Sequence, residues 1–401
     1  MRQVIQNLEA SKIREIANAA MGRSDVLAFW FGESDEVTPG FIREAAINSL
    51  QKGETFYSHN LGLPELRAAI AAYMSRLHGP VASDRIAVTS GGVNALMLAM
   101  QALAGAGDEV VAVVPVWPNL TAQPQILGAR VTRVPLKVEQ GAWKLDLEAL
   151  LAAVTPATRV LLVNAPNNPT GWTLERAEQQ ALLEHCRRTG TWIIADEVYE
   201  RLYYREGARC APSFLDIATP EDRLVVVHSF SKSFLMTGWR LGWMVAPAAL
   251  IEAMGKLIEF NTSCAPVFVQ RGALAALARA DEFVPGLVAR MKACRDTLLP
   301  ALAALPGVSV AVPDGGMYAF FRVQGQDDSL AFAKRLVAEA GLGLAPGAAF
   351  GAEAEGWLRW CFASRDPVLV EDVDRADDVD LADVGRDQGR RGRRLGIGQA
   401  I

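Results

Sequence analysis

Between residues 86 and 228 the chain repeats one pattern, and that pattern leaves few folds open. Apolar, largely β-branched runs at 86–89, 109–115, 131–136, 160–164, 192–195 and 224–228 alternate with stretches of helical character around 93–103, 120–127, 146–153 and 174–188. Runs that are apolar throughout belong to strands covered on both faces. Strands alternating with helices imply an α/β fold with a mainly parallel sheet covered by helices. In such sheets function collects beyond the carboxyl ends of the strands. The segments that follow these runs carry Gly91-Gly92, Trp117, Asn168, Asp196 and Lys232. A single site assembled from all of them is the expectation.

Outside this block the pattern changes. Residues 1–23 read as an amphipathic helix with Ile13, Ile16, Ala17 and Ala20 on one face, followed by a strand at 26–31 and a helix at 41–52. From about residue 285 the order is a helix to roughly 304, strands at 308–312 and 317–323, a helix at 330–340 and a strand at 357–362. This predicts a large domain over 46–284 and a smaller α+β domain built from 1–45 and 285–365. The stretch 366–401 is short of large apolar residues and carries five arginines between Arg386 and Arg394, which predicts a poorly ordered tail. A change of reading frame near codon 365 would account for it, and the adjacent frame should then encode a leucine-bearing helix.

Composition narrows the function classes. A net charge of −5 gives no support for a nucleic-acid partner. Five scattered cysteines without a Cys-x-x-Cys pair read as reduced thiols of a cytoplasmic protein, not as a zinc site or a disulfide framework. Charges run through the first residues to Arg14, so no signal peptide is read there, and no apolar run is long enough to span a membrane.

The chemistry begins at Lys232, which follows the 224–228 run with no acidic residue between Arg223 and Glu252. A desolvated amine without a carboxylate partner loses its proton more easily and becomes a nucleophile. Arg240, between Gly238-Trp239 and Leu241-Gly242, is suited to hold an anion. Ser90-Gly91-Gly92 before a helix offers free amides to a phosphate. Asp196 ends an apolar strand, where a carboxylate is costly unless it meets a cation, and Tyr199 follows it. Arg359 is a charge inside an apolar strand and needs an anion. Taken singly, each has a bland reading: a turn, a core ring, a solvated charge. Together with Trp117 they describe one ligand, with a phosphate, a flat ring bearing a positive nitrogen, a phenolic oxygen and an aldehyde. That ligand is pyridoxal 5'-phosphate (PLP).

Three stretches carry a family resemblance: Asn164-Ala165-Pro166-Asn167-Asn168-Pro169-Thr170-Gly171, Ala195-Asp196-Glu197-Val198-Tyr199, and Ser229-Phe230-Ser231-Lys232 with the later Arg240. In these the chain resembles the class I/II aminotransferases, of the fold type I group of PLP enzymes, over about residues 10–365. The resemblance implies a transferase of amino-acid metabolism that moves the amino group of an L-amino acid to a 2-oxo acid by a ping-pong route. It implies that Lys232 forms the internal aldimine and shuttles the proton, while Asp196 pairs with the pyridine N–H. Asn168 and Tyr199 would bond the phenolate oxygen, and Trp117 would stack on the ring. Gly92, Val93, Asn94, Ser229 and Arg240 would hold the phosphate, and Arg359, with the Gly32 backbone nearby, the substrate α-carboxylate. No metal is implied. Tyr57 matches a tyrosine that reaches the phosphate of the neighbouring subunit, which implies a homodimer with a shared active site.

Two other readings stay open at this point. One is a PLP-dependent C–S β-lyase on the same fold, which would need no oxo-acid acceptor. The other is a PLP-binding regulatory module. Val93 stands where some aspartate-using relatives carry a lysine, which predicts neutral or apolar amino donors with 2-oxoglutarate or pyruvate as acceptor.

Overall fold

Seven strands form the main sheet, in the order Ile86–Thr89, Gly242–Val245, Leu224–Ser229, Trp192–Asp196, Thr158–Asn164, Glu109–Val114 and Arg130–Pro135. The computed structural model describes residues 1–365, and the expectations for 366–401 lie outside them. Six strands run in one direction, and Gly242–Val245 runs antiparallel to both its neighbours. This strand was not anticipated from the sequence. It has room because Gly242 lacks a side chain: a Cβ there would lie 2.7 Å from the His228 carbonyl and 2.8 Å from the Gly92 nitrogen.

Alternation along each strand sends side chains to two apolar layers. Val111, Val113, Leu161 and Ile193 pack on one face, whereas Val110, Ala112, Leu162 and Ile194 pack on the other with Leu96 and Leu98 of helix Gly92–Leu103. Burial of each of the valine, leucine and isoleucine side chains stabilises the fold by about 1.5–3 kcal/mol. Register then levels the strand ends, with Asn164 opposite Asp196 and Asp196 opposite Val227.

A second, antiparallel sheet joins Val308–Val310, Tyr318–Val323, Trp357–Cys361 and Ala345–Pro346. Phe320 sits opposite Arg359 and Tyr318 opposite Cys361, so these four share one face. The N-terminal segment reaches this region through Leu27–Ala28, which pairs in parallel with Leu342–Gly343.

Several expectations are corrected. Residues 1–23 form two helices, Gln3–Gln6 and Lys12–Ala19, because the Ser11 hydroxyl accepts from the Arg14 amide and starts the second one afresh. The strand expected over 26–31 stops at Ala28. Beyond it the Trp30 carbonyl turns to accept from Arg359. The helix expected from about 285 begins earlier, as Ala280–Ala304. The one expected over 330–340 is Ser329–Arg335 followed by a wider turn over Leu336–Ala340. Helices Ala248–Glu259 and Val267–Ala278 were not singled out in the sequence. No helix among the described residues is long and apolar enough to cross a membrane.

Candidate active site

A cavity of about 900 Å³ opens over the carboxyl ends of the main sheet, and Asn168, Asp196, Tyr199, Lys232, Arg240 and Arg359 all line it. Asp196 is the last residue of its strand and is 2% exposed. It makes no ion pair among the described residues; a Val198 amide donates to it at 3.4 Å. Burial pushes its carboxyl up to about 7, with the Val198 bond and the Lys232 charge pulling weakly the other way. Lys232 stands beyond the end of strand Leu224–Ser229 and donates to the Gly32 carbonyl. Its amine lies 5.7 Å from the centre of the Tyr199 ring. Desolvation pulls the amine down to about 8. The side chain opens onto the cavity and is only part-buried, so water in the cavity moderates that pull.

Arg359 is 2% exposed and has only neutral partners. It donates to the Asn168 side-chain carbonyl at 2.9 Å and to the Trp30 carbonyl, and it lies 4.4 Å from the centre of the Tyr318 ring. Its Nε has no hydrogen-bond partner among the described residues. The Asn168 amide is in turn fixed by Asn164 at 2.7 Å, while its Nδ2 points to the Tyr199 hydroxyl at 3.5 Å. Tyr199 and Tyr318 share a hydrogen bond of 2.7 Å, and burial holds the Tyr199 phenol well above its usual range.

The third corner is built from the start of helix Gly92–Leu103, whose first amides have no acceptor within the helix. Gly91 sits at φ +92°, a conformation that residues with side chains rarely adopt, and a Cβ there would also displace Arg240 Nη2, 2.5 Å away. Arg240 donates to the Thr237 carbonyl at 2.6 Å and to Ser231 Oγ at 3.4 Å, and has no carboxylate partner among the described residues. Ser229 donates to Ser231 at 2.9 Å. Val93 and Asn94 line the same corner.

Of the remaining candidates, Gly32 and Trp117 line the cavity, and the Trp117 amide donates to the Asn168 carbonyl at 2.8 Å. Tyr57 does not line it: that ring is 89% exposed on this chain. Sequence reasoning missed Tyr318, Ser231, Asn164 and Thr237, all of which line the cavity. A phenol in the apolar strand Tyr318–Val323 was a usable signal for the first; Asn164 ends a strand run, and Ser231 and Thr237 look like ordinary turn residues.

A buried polar cluster lies behind the turn that carries Tyr199. His78 contacts Glu200 and Asp216, each at 2.8 Å. Burial alone would lower the imidazole, but the two carboxylates overcome it and push it up to about 10. Glu197 accepts from Ser213 Oγ and from the Phe214 amide. The carboxylates of Glu197 and Glu200 and the His228 ring approach within 4.8 Å of one another.

Three charges of the cavity, the Asp196 carboxylate and the Arg240 and Arg359 guanidinium groups, therefore lack an ionic partner among the described residues. They suit a ligand with two anionic ends and a cationic centre.

Residues 26–375 match the family model for aminotransferase class I and II. The chain is 32% identical over 372 residues to an aspartate aminotransferase of Pyrococcus horikoshii, covering 92% of this chain and 94% of that protein. It is 36% identical to an arginine–pyruvate transaminase of Pseudomonas aeruginosa, over 86% of this chain and 87% of the other. In three dimensions it resembles the aspartate aminotransferase of Thermus thermophilus with maleate, with a TM-score of 0.86, 31% identity, and coverage of 94% and 98%.

Proposed function

The chain belongs to the class I and II aminotransferases, and from that premise we propose that it moves the amino group of an L-amino acid to a 2-oxo acid with PLP as cofactor, attached at Lys232. One observation carries this reading: Asp196, Arg240 and Arg359 face one cavity without ionic partners. A protonated ring nitrogen, a phosphate and an α-carboxylate would supply the three missing counter-charges. When bound, the cofactor supplies an electron sink for charge developing at the substrate α-carbon and holds the amino group between two half-reactions, which makes the kinetics ping-pong.

The chain's own groups do the rest. Asp196 would keep the ring nitrogen protonated, and a cation against it would lower its own raised pKa. With a pKa pulled down to about 8, the Lys232 amine is partly neutral near physiological pH and so can take up the α-proton and return it. Asn168 Nδ2 and the Tyr199 hydroxyl would hold the ring oxygen, with Tyr318 fixing the phenol of Tyr199. Trp117 would cover one ring face. The first-turn amides at Gly92, Val93 and Asn94, with Ser229 and Arg240, would hold the phosphate. Arg359 would grip the α-carboxylate, oriented by Asn168 and by the Trp30 carbonyl, with the Gly32 backbone nearby.

Tyr57 would reach the phosphate of a partner subunit in a homodimer, a reading supported by its exposure and that of its neighbour Phe56, at 83%. Residues 46–284 would form the larger domain and 1–45 with 285–365 the smaller, supported by the pairing of Leu27–Ala28 with Leu342–Gly343. Reduced thiols suit a cytoplasmic setting. Val93 favours neutral or apolar donors.

The test is an assay of amino donors with and without 2-oxoglutarate. Glutamate formed only when the acceptor is present is the expected result. Ammonia and pyruvate released from a cysteine-type donor without an acceptor would make the chain a β-lyase instead.

A further inference from the structure

Two consecutive side chains of helix Val267–Ala278 hold the segment that carries Tyr57. Arg271 pairs with Glu54 through two hydrogen bonds of 3.1 Å and with Glu65 at 3.2 Å. Gln270, 0% exposed, holds the stretch between those two carboxylates. Its Oε1 accepts from the Leu63 amide at 2.7 Å, and its Nε2 donates to Ser58 Oγ at 3.2 Å and to the Ala265 carbonyl at 2.8 Å. The Ser58 amide donates in turn to Cys264 Sγ at 3.4 Å. Further along, Asn60 Nδ2 donates to the Gly255 carbonyl at 2.9 Å, and the Leu61 carbonyl accepts from the Val88 amide at 3.0 Å. Surface loops are ordinarily mobile. This one is fastened at both ends and in the middle. Yet the ring it presents, Tyr57, is 89% exposed and makes no hydrogen bond or ring contact among the described residues.

A buried amide is costly unless its polar atoms find partners. Gln270 uses its carbonyl and its amino group, and two of its three bonds go to Ser58 and Leu63. An apolar side chain would fill the same space without that requirement, so packing alone does not account for the amide. What it secures is a fixed backbone at the residue after Tyr57. A tyrosine carried on a fixed backbone loses little freedom on meeting a partner, because only two side-chain torsions remain to be set. Resting on the reading of Tyr57 as a residue shared between subunits, we propose that Gln270 is a positioning residue: by holding Ser58 and Leu63 it aims the Tyr57 hydroxyl across the subunit boundary at the cofactor phosphate of the other chain. Gln270 itself does not line the cavity of its own chain and acts only through the loop.

The rate at which purified full-length holoenzyme loses PLP on dilution reads this apart from turnover. Tyr57→Phe is expected to speed the loss about tenfold, as removal of one hydrogen bond to a charged group would. Gln270→Ala should speed it about fivefold with Tyr57 present and by no more than about 1.5-fold in the Tyr57→Phe background, because a residue acting through the hydroxyl then has nothing left to aim. A wild-type rate in a folded Gln270→Ala dimer overturns the proposal. So does an effect of undiminished size in the Tyr57→Phe background, since a merely structural defect adds independently. Where Gln270→Ala gives no folded dimer, Ser58→Ala takes its place, as it removes one contact at a half-buried position and leaves the core closed. About a threefold effect with the same dependence on Tyr57 is expected there, and a wild-type rate or a Tyr57-independent effect overturns the proposal equally. A wild-type rate in Tyr57→Phe itself removes the shared-site reading and this proposal with it. Faster loss in Tyr57→Phe that the loop variants do not share removes this proposal alone.

Discussion

Asp196 shows how one residue serves function at the expense of stability. Its pKa is raised to about 7 because burial disfavours the charge, and in the unfolded chain it returns to the ordinary carboxylate value. The folded, cofactor-free protein therefore binds the proton more tightly than the unfolded chain. Stability from this group is fully present below pH ~4 and is lost as pH rises to about 7, by up to about 4 kcal/mol. Asp196→Asn should remove that penalty. We expect the cofactor-free variant to melt higher than wild type at pH 8, with little difference at pH 4, while amino transfer falls by orders of magnitude. A lower melting temperature at pH 8 would show that the carboxylate is compensated by some other group. Lys232 has the opposite sign: its pKa is lowered, so its contribution is lost as pH falls from about 10.5 to about 8. Lys232→Ala should abolish transfer and the absorbance band that arises from attachment to the lysine, while phosphate contacts at Arg240 and Gly92 would still retain the cofactor. An unchanged absorbance band would place the attachment elsewhere.

At the scale of elements, the turn after strand Trp192–Asp196 is held from behind by His78 at the end of helix Pro64–His78. The imidazole links Glu200, on that turn, to Asp216, so a helix distant in sequence fixes the segment that carries Tyr199. Removing the cation leaves a buried carboxylate uncompensated, which costs about 3 kcal/mol or more. His78→Ala is expected to lower the unfolding free energy by that order, measured by chemical denaturation at pH 7. The folded pKa of His78 is raised to about 10, so its contribution is present below about pH 6.5 and is lost as pH rises toward 10. The wild-type advantage over His78→Ala should fade across that window, and a difference constant from pH 6 to 10 would exclude the imidazolium as its source. None of this was readable in the sequence, where His78 is a single histidine at a helix end.

For the whole molecule the exposed Tyr57 gives the sharpest test. If the site is shared between two subunits, Tyr57→Ala and Lys232→Ala damage different halves of it. A mixed dimer then rebuilds one intact site from the Lys232 of one chain and the Tyr57 of the other. Mixing the two variants after reversible dissociation should restore about a quarter of wild-type activity, by statistical pairing of subunits. Activity no greater than the sum of the separate variants would mean that each chain completes its own site.

The α/β class, and the charges that line the cavity, were legible in the sequence, because apolar strand runs and charges stranded at their ends are local features. Asp196, Lys232 and Arg359 each announced themselves as a charge in the wrong surroundings, and each faces the cavity. Tertiary structure alone decided which charges would meet. It brought Tyr318 against Tyr199, set Arg14 beside Phe31 and placed strand Gly242–Val245 in the sheet. Those pairings join residues far apart along the chain, and nothing in the local pattern of either partner specifies the other; packing fixes them, since a buried group finds its partner only once the layers have closed.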